Sequence, residues 1–242
     1  MAWRLGVASG GTFCDICLYD TESKRFAIWK VSSTPDDPSR GILTGITEGL
    51  KTVSAQTSDI SFLGHGTTVG TNALIQHKGA LTGFITTDGF RDLLEIGRQQ
   101  RPSLYDTQED KPETLVAQAL RFEVPERVRH DGTVEVAFDV ESVREAARAL
   151  KKAGVKAVAI GFLYAFIKPE HERRAYEIVQ EEFPEAFTCA SYQVAPEFRE
   201  YERFSTTAVN AYLGPVMEAY IARLGARLLE LGPPVAPRIT QS

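Results

Sequence analysis

Leu5-Gly-Val-Ala-Ser-Gly-Gly-Thr-Phe-Cys-Asp-Ile-Cys-Leu-Tyr19 decides the fold. It reads as two short strands joined at Gly10-Gly11-Thr12. After Gly11 the residues alternate, with Cys14, Ile16 and Leu18 on one face and Phe13, Asp15, Cys17 and Tyr19 on the other, which is a strand period. The mononucleotide loop needs Gly-x-x-x-x-Gly-Lys before Ser or Thr, and the dinucleotide fingerprint needs Gly-x-Gly-x-x-Gly opening a helix. Neither is present. Glycines without a Cβ at the tip allow positive φ and let a ligand approach backbone N–H groups closely. The same spacing also fits an ordinary hairpin turn.

Outward from that hairpin, Arg25 to Ser32 reads as a third antiparallel strand. Asp36-Asp37-Pro38 supplies a capping acid and an N-terminal proline for a helix carrying Ile42, Ile46, Leu50 and Val53. Ile60 to Gly64 then runs into His65-Gly-Thr-Thr68, and Asn72 to His77 reads as helical. Thr67 and Thr68 fit either an anion site or a plain helix cap. Leu81 to Thr87 is the next strand, Asp88-Gly89 a turn, and Phe90 to Gly97 a short helix.

Arg98 to Gln118 is polar and proline-containing, the expected boundary or mobile loop. A second unit follows. Phe122 to Val128 and Thr133 to Phe138 are expected to form a hairpin about His130-Asp131-Gly132. A helix with Val143, Ala146, Ala147 and Leu150 inward, a buried strand from Val155 to Phe166, a helix opened by Pro169 and a strand from Phe187 to Val194 complete a βαβ pattern. His171, in a charged first turn, is expected to be solvated. Residues 196–242 read as a long helix, kinked or restarted at Gly214-Pro215, followed by the start of a further strand. The expected domains are 1–105, 119–195 and 196–242.

The chain has 242 residues, 43% hydrophobic and 24% charged, with a net charge of −5. That charge offers no basic surface for nucleic acid, and no apolar run is long enough to span a bilayer as a helix. No apolar leader stands at the amino terminus, so a cytoplasmic location is expected. The three cysteines are an odd number, against a disulfide framework. Cys14 and Cys17 form a C-x-x-C, but on a strand they face opposite sides and cannot share a metal.

Several blocks carry a family resemblance. Gly6-Val7-x-x-Gly10-Gly11-Thr12-Phe13-x-Asp15 resembles the first phosphate element of the actin, sugar-kinase and heat-shock-chaperone ATPases. It is more narrowly similar to the hydantoinase A and 5-oxoprolinase family, which includes acetone and acetophenone carboxylases. His65-Gly-Thr-Thr-Val-x-Thr-Asn-Ala-Leu74, Thr86 to Arg98, Arg101-Pro-x-Leu-Tyr-Asp106 and Pro196 to Leu213 resemble further blocks of that family.

The resemblance implies an α/β fold: a ribonuclease H-like half with a second α/β subdomain. It also implies an ATP-dependent hydrolase or carboxylase subunit that activates a carbonyl oxygen by phosphorylation, with ATP and Mg²⁺ as cofactors. By the same resemblance, Gly10, Gly11, Thr12, His65, Gly66, Thr67, Thr68 and Asn72 hold the nucleotide. Thr12 and Asp15 take the catalytic role, Asp15 holds the metal, and Arg98 and Arg101 face substrate. Its members are typically more than twice this length, which implies that the remaining half and a hydantoinase B-like or carboxylase subunit are partners, with a small carbonyl compound as substrate. The family pattern has an aspartate where this chain has Ala8. Two readings therefore stand, a catalytic subunit relying on Asp15 and a degenerate scaffold subunit.

Overall fold

The computed structural model describes residues 2–34, 36–106 and 108–240. The elements in chain order are β1 (Trp3–Ser9), β2 (Phe13–Asp20), β3 (Phe26–Ser32), α1 (Pro38–Thr52), β4 (Ile60–Thr67), α2 (Val69–Ile75), β5 (Thr82–Thr87) and α3 (Leu93–Ile96). Then come β6 (Arg121–Val124), β7 (Arg127–Val128), β8 (Val134–Val136), α4 (Val140–Lys152), β9 (Ala157–Gly161), α5 (Glu170–Glu182), β10 (Phe187–Ala190), α6 (Ser191–Val194), α7 (Glu200–Leu231) and β11 (Arg238–Ile239). The chain divides into two compact units, residues 1–78 with 216–242, and residues 79–215. In sequence the second is therefore an insertion within the first.

In the first unit the sheet order is β11-β4-β1-β2-β3. The antiparallel meander pairs Ala8 with Asp15 and Asp15 with Lys30, and β4 runs parallel to β1 with Ser9 opposite Thr67. Strand period places Trp3, Leu5 and Val7 of β1 and Cys14, Ile16 and Leu18 of β2 on one buried face, with Ile42, Ile46 and Leu50 of α1 in the same core. Asp37 caps α1 by accepting from Ser39 N, and its carboxylate pairs with Arg227 at 2.7 Å. Gly41, Gly45 and Gly49 recur every fourth residue along α1, so they share a helical face. A methyl group built on Gly45 would stand 2.2 Å from Ile16 Cδ1, and one on Gly41 3.1 Å from Ser32 O. These glycines let the helix backbone lie close against β2 and β3.

The strand at 82–87 does not join this sheet. It lies in the second unit's parallel sheet, ordered β10-β9-β5-β6, and the edge place beside β4 is filled by β11. The cause is visible in burial: all six residues of β5 are buried, so this strand needs neighbours and cover on both faces. The expected boundary at 105 accordingly differs from the observed units, which divide near residue 79 and again after 215.

In the second unit, Val143, Ala146, Ala147 and Leu150 face inward as their spacing predicts, and α5 contributes Ala175, Ile178 and Val179 to the same core. The expected strand from Phe122 to Val128 is two strands. Arg121–Val124 pairs with β5, whereas Arg127–Val128 forms the hairpin with Val134–Val136. Gly132, at φ +81°, supplies the turn's left-handed residue. α7 runs on through Pro215 instead of restarting there, and it begins at Glu200, just after Arg199 at φ +75°. Among the described residues no helix is long and apolar enough to cross a membrane.

Candidate functional site

The hairpin tip is built by backbone. Gly10 N donates to Phe13 O at 3.0 Å and Ser33 N donates to Thr12 O at 2.8 Å, closing the turn on both sides. Neither Gly10 nor Gly11 takes a positive φ, contrary to the expectation for this turn. What their missing side chains provide is room: a methyl group on Gly11 would lie 3.7 Å from Asn72 Nδ2. Among the described residues the N–H groups of Gly11 and Thr12 and the Thr12 hydroxyl have no hydrogen-bond partner, and both residues are exposed.

Beside the tip, the end of β4 leads into α2. Thr68 N donates to Ser9 O at 3.2 Å, which ties the two strand ends together. Thr67 Oγ1 accepts from Val69 N at 3.2 Å, while Thr68, at the N-cap of α2, makes no side-chain capping bond to the helix. Asn72 Nδ2 donates to Thr68 Oγ1 at 3.1 Å. The structure thus brings Gly10, Gly11, Thr12, Thr67, Thr68 and Asn72 together. Gly66 stands opposite Ala8 in the β1–β4 ladder, where a methyl group would be 3.3 Å from Thr240 Oγ1.

His65 differs from expectation. It is 2% exposed, with Nδ1 3.2 Å from Val7 O and Nε2 2.6 Å from the Tyr220 hydroxyl. A carbonyl only accepts, so Nδ1 carries the proton, Nε2 accepts and Tyr220 donates. Burial pushes the imidazole below its ordinary value, against a smaller upward pull from the Val7 carbonyl. Its ring is a neutral core strut rather than the lining of an open cleft.

Asp15 is half-exposed on β2, and its Oδ1 pairs with Lys30 Nζ at 2.9 Å. Its cross-strand partner on the other side is Ala8, which is exposed, so a carboxylate at position 8 would share a face with that of Asp15. No group of three or more His, Cys, Asp or Glu side chains capable of holding a metal occurs among the described residues. Cys14 is buried on one face of β2 and Cys17 stands on the other.

Arg98 and Arg101 lie in the second unit and line a cavity of ≈ 730 Å³ together with Lys111 and Tyr201. Arg98 Nε is already committed to Glu202 Oε1 at 2.8 Å, and Lys111 Nζ donates to the carbonyls of Glu95 and Ile96.

Two buried polar networks of this unit escaped the sequence reading. His171 is not solvated: Nδ1 lies 2.8 Å from the buried Glu126 carboxylate, which also accepts from Thr87 Oγ1, and the ring stacks on Phe138. Glu172, fully buried, accepts from Phe162 N, Ser191 Oγ and Tyr192 N at 2.6–2.8 Å, while Arg203 Nε donates to Ser191 Oγ. Burial pushes the Glu172 carboxyl up to about 7, against the pull of those donors. Glu126 and Glu172 stand beside arginines in sequence, which reads as a solvated surface and does not name their buried partners.

Residues 4–183 match the family described as hydantoinase/oxoprolinase N-terminal region. The caprolactamase subunit alpha of Pseudomonas jessenii is 37% identical over 99% of this chain and 35% of its own length. The acetophenone carboxylase gamma subunit of Aromatoleum aromaticum is 32% identical over 86% of this chain and 31% of its own. Among solved structures, the ATP-dependent caprolactamase from Pseudomonas jessenii aligns with TM-score 0.89 at 36% identity. Acetone carboxylase, solved nucleotide-free, aligns with TM-score 0.87 at 25% identity. Each alignment covers 98% of this chain and 35% of the other. The chain thus spans about a third of the length of the relatives it matches, and its mixed α/β architecture is theirs.

Proposed function

Since the chain belongs to the hydantoinase/oxoprolinase family through its N-terminal region, we propose that it is the phosphate-binding front part of an ATP-dependent enzyme that activates a carbonyl oxygen, in hydrolysis of a lactam or hydantoin or in carboxylation of a ketone. The observation that carries this reading is the hairpin tip, where the N–H groups of Gly11 and Thr12 and the Thr12 hydroxyl have no partner among the described residues, and Asn72, held by Thr68, stands next to Gly11. Free backbone donors at a glycine turn fit phosphoryl oxygens, on which charge accumulates during transfer.

Gly10, Gly11 and Thr12 cradle phosphate, with Asn72 held over Gly11 by Thr68. Among the described residues Asp15 offers the tip a carboxylate for Mg²⁺, an ion commonly bound by one or two carboxylates plus phosphates and water. To do so it exchanges its Lys30 partner for the ion. When bound, Mg-ATP would supply the phosphoryl group that makes the oxygen of a tautomerised amide a leaving group, or that activates a ketone enol and bicarbonate for carboxylation. Arg98 and Arg101, which line the ≈ 730 Å³ cavity of the second unit, are assigned to the substrate. The remaining portion of the protein and a hydantoinase B-like or carboxylase subunit complete the enzyme, so the chain alone is not expected to turn over, and a cytoplasmic assembly is in keeping with this role.

Titration calorimetry of the full-length protein, with its partner subunit, tests the reading. Saturable Mg-ATP binding that weakens about tenfold in Gly11→Val, roughly 1.4 kcal/mol, is expected. Absence of heat and of competition by other nucleotides removes it. Ala8 opposite Asp15 favours a second reading, a scaffold subunit without its own turnover. Under that reading Ala8→Asp raises ATP hydrolysis, and an unchanged rate counts against it.

A further inference from the structure

The second unit has another cavity, of ≈ 540 Å³, that the nucleotide proposal does not use. Its position follows from topology. In the sheet β10-β9-β5-β6 the chain leaves β5 toward β6 on one side and leaves β9 toward β10 on the other. The two adjacent parallel strands β5 and β9 therefore flank a switch point, and in open parallel sheets the crevice beyond the carboxyl ends at such a point is where ligands bind. The cavity is lined by Phe90 and Leu93, which follow β5, by Leu163 and Tyr164, which follow β9, and by Arg127 and Glu200.

The polar groups there are placed and incompletely used. The Arg127 guanidinium lies 5.0 Å from the centre of the Phe90 ring and donates from Nη2 to Asp88 O at 3.1 Å. Among the described residues it has no carboxylate within ion-pair distance, whereas the neighbouring Arg129 is neutralised by Glu135 at 2.7 Å. Glu200 Oε1 is buried and accepts no hydrogen bond. The closest cation, Arg203 Nη2, stands 3.6 Å away and is committed to Phe162 O. Tyr164 holds φ +53°, a conformation that side-chain-bearing residues rarely adopt and that clusters at ligand sites.

We propose that this cavity binds a free α-amino acid with an apolar side chain. The carboxylate meets the Arg127 guanidinium, the ammonium meets the Glu200 carboxylate, and the side chain lies against Phe90, Leu93, Leu163 and Tyr164. The volume lies within the range of small-molecule pockets, and the apolar side chains share the lining with Arg127, Arg129, His130, Glu135 and Glu200.

The test uses the full chain without nucleotide, titrated by calorimetry with three probes. L-Leucine carries both charges, 4-methylpentanoate only the carboxylate and 3-methylbutylamine only the amine. The expected result is saturable L-leucine binding at least about tenfold tighter than either half-ligand. Arg127→Gln reduces L-leucine to the level of the amine, Glu200→Gln reduces it to the level of the carboxylate, and Arg174→Gln on α5 leaves it unchanged. If Arg127→Gln fails to fold, Arg127→Lys keeps the charge, loses the fork and is expected to give intermediate affinity. No saturable L-leucine binding to the unaltered chain, equal binding of the three probes, or indifference to both substitutions overturns the proposal. Because no nucleotide is present, these outcomes are independent of whether the hairpin binds ATP.

Discussion

The Nε2 atom of His65 and the hydroxyl of Tyr220, 155 positions apart in sequence, are joined by a 2.6 Å hydrogen bond. The bond fastens the end of β4 to the carboxyl-terminal part of α7. Tyr220→Phe leaves a buried imidazole acceptor without its donor and is expected to cost about 1–2 kcal/mol. The readout is the urea midpoint, with an unchanged m-value showing that the loss is one of stability.

The same ring gives a pH dependence. The folded chain holds the His65 imidazole below its ordinary value because of burial. The unfolded chain titrates near the reference of about 6.5 and takes up the proton first as pH falls. The contribution to stability is therefore complete above about pH 6.5 and is lost as pH falls from there through the lowered folded value. Urea midpoints across this window are expected to fall with pH in the unaltered chain and to fall less in His65→Gln.

A carboxylate added at position 8 would lie cross-strand from Asp15. Like charges directly opposite repel, so Ala8→Asp is expected to lower the melting temperature in the presence of a chelator. Added Mg²⁺ is expected to reverse the loss in this variant and to have a smaller effect on the parent. Identical responses of the two proteins would show that positions 8 and 15 do not form a metal site together.

Close approach of α1 to the sheet sets a further expectation. A methyl group on Gly45 would stand 2.2 Å from Ile16 Cδ1 and 3.1 Å from Val31 Cγ2. Gly45→Ala gains helix propensity of about 1 kcal/mol, yet overpacking costs about 1–3 kcal/mol, so net destabilisation is expected. Ala153→Gly, at the end of α4, provides a comparison outside this contact. Calorimetric melting of both variants decides whether packing or propensity dominates.

In the second unit, Glu172→Ala removes the acceptor for two backbone N–H groups and for Ser191, and strips the buried Arg203 of a nearby carboxylate. Loss of one member of a buried charged network typically costs about 3–5 kcal/mol, and hydrogen exchange at Phe162 and Tyr192 is expected to accelerate with it.

The sequence made the local elements of both units legible, because each announces itself within a short window. The alternation in β1 and β2, the Asp37-Pro38 start of α1 and the 143-146-147-150 face of α4 are examples. Strand partnership was less legible. Nothing near Thr82–Thr87 states that it joins β9 and β6, because parallel pairing is decided by segments far along the chain. At the hairpin, residue types pointed to the tip, and the grouping of Gly11 with Asn72 followed. His65 was misplaced because its strand neighbours are readable while Tyr220, which claims its ring, is not. The inward turn of His171 onto Glu126 was hidden for the same reason, and the second cavity draws on segments that no spacing rule connects.

Placing residues 79–215 inside the first unit also sets a timetable for synthesis. The second unit is continuous in sequence and can close its cores as soon as α7 reaches Ala211. The first unit leaves the ribosome with four strands and one open core, which waits for Tyr220, Leu224 and Leu228, and its β4 edge stays unpaired until Arg238 arrives. Contacts of such long sequence separation form slowly, and an uncovered strand edge during that interval is where nascent chains associate wrongly. The stretch left most open during translation is therefore β4, the strand whose end lies beside the glycine hairpin.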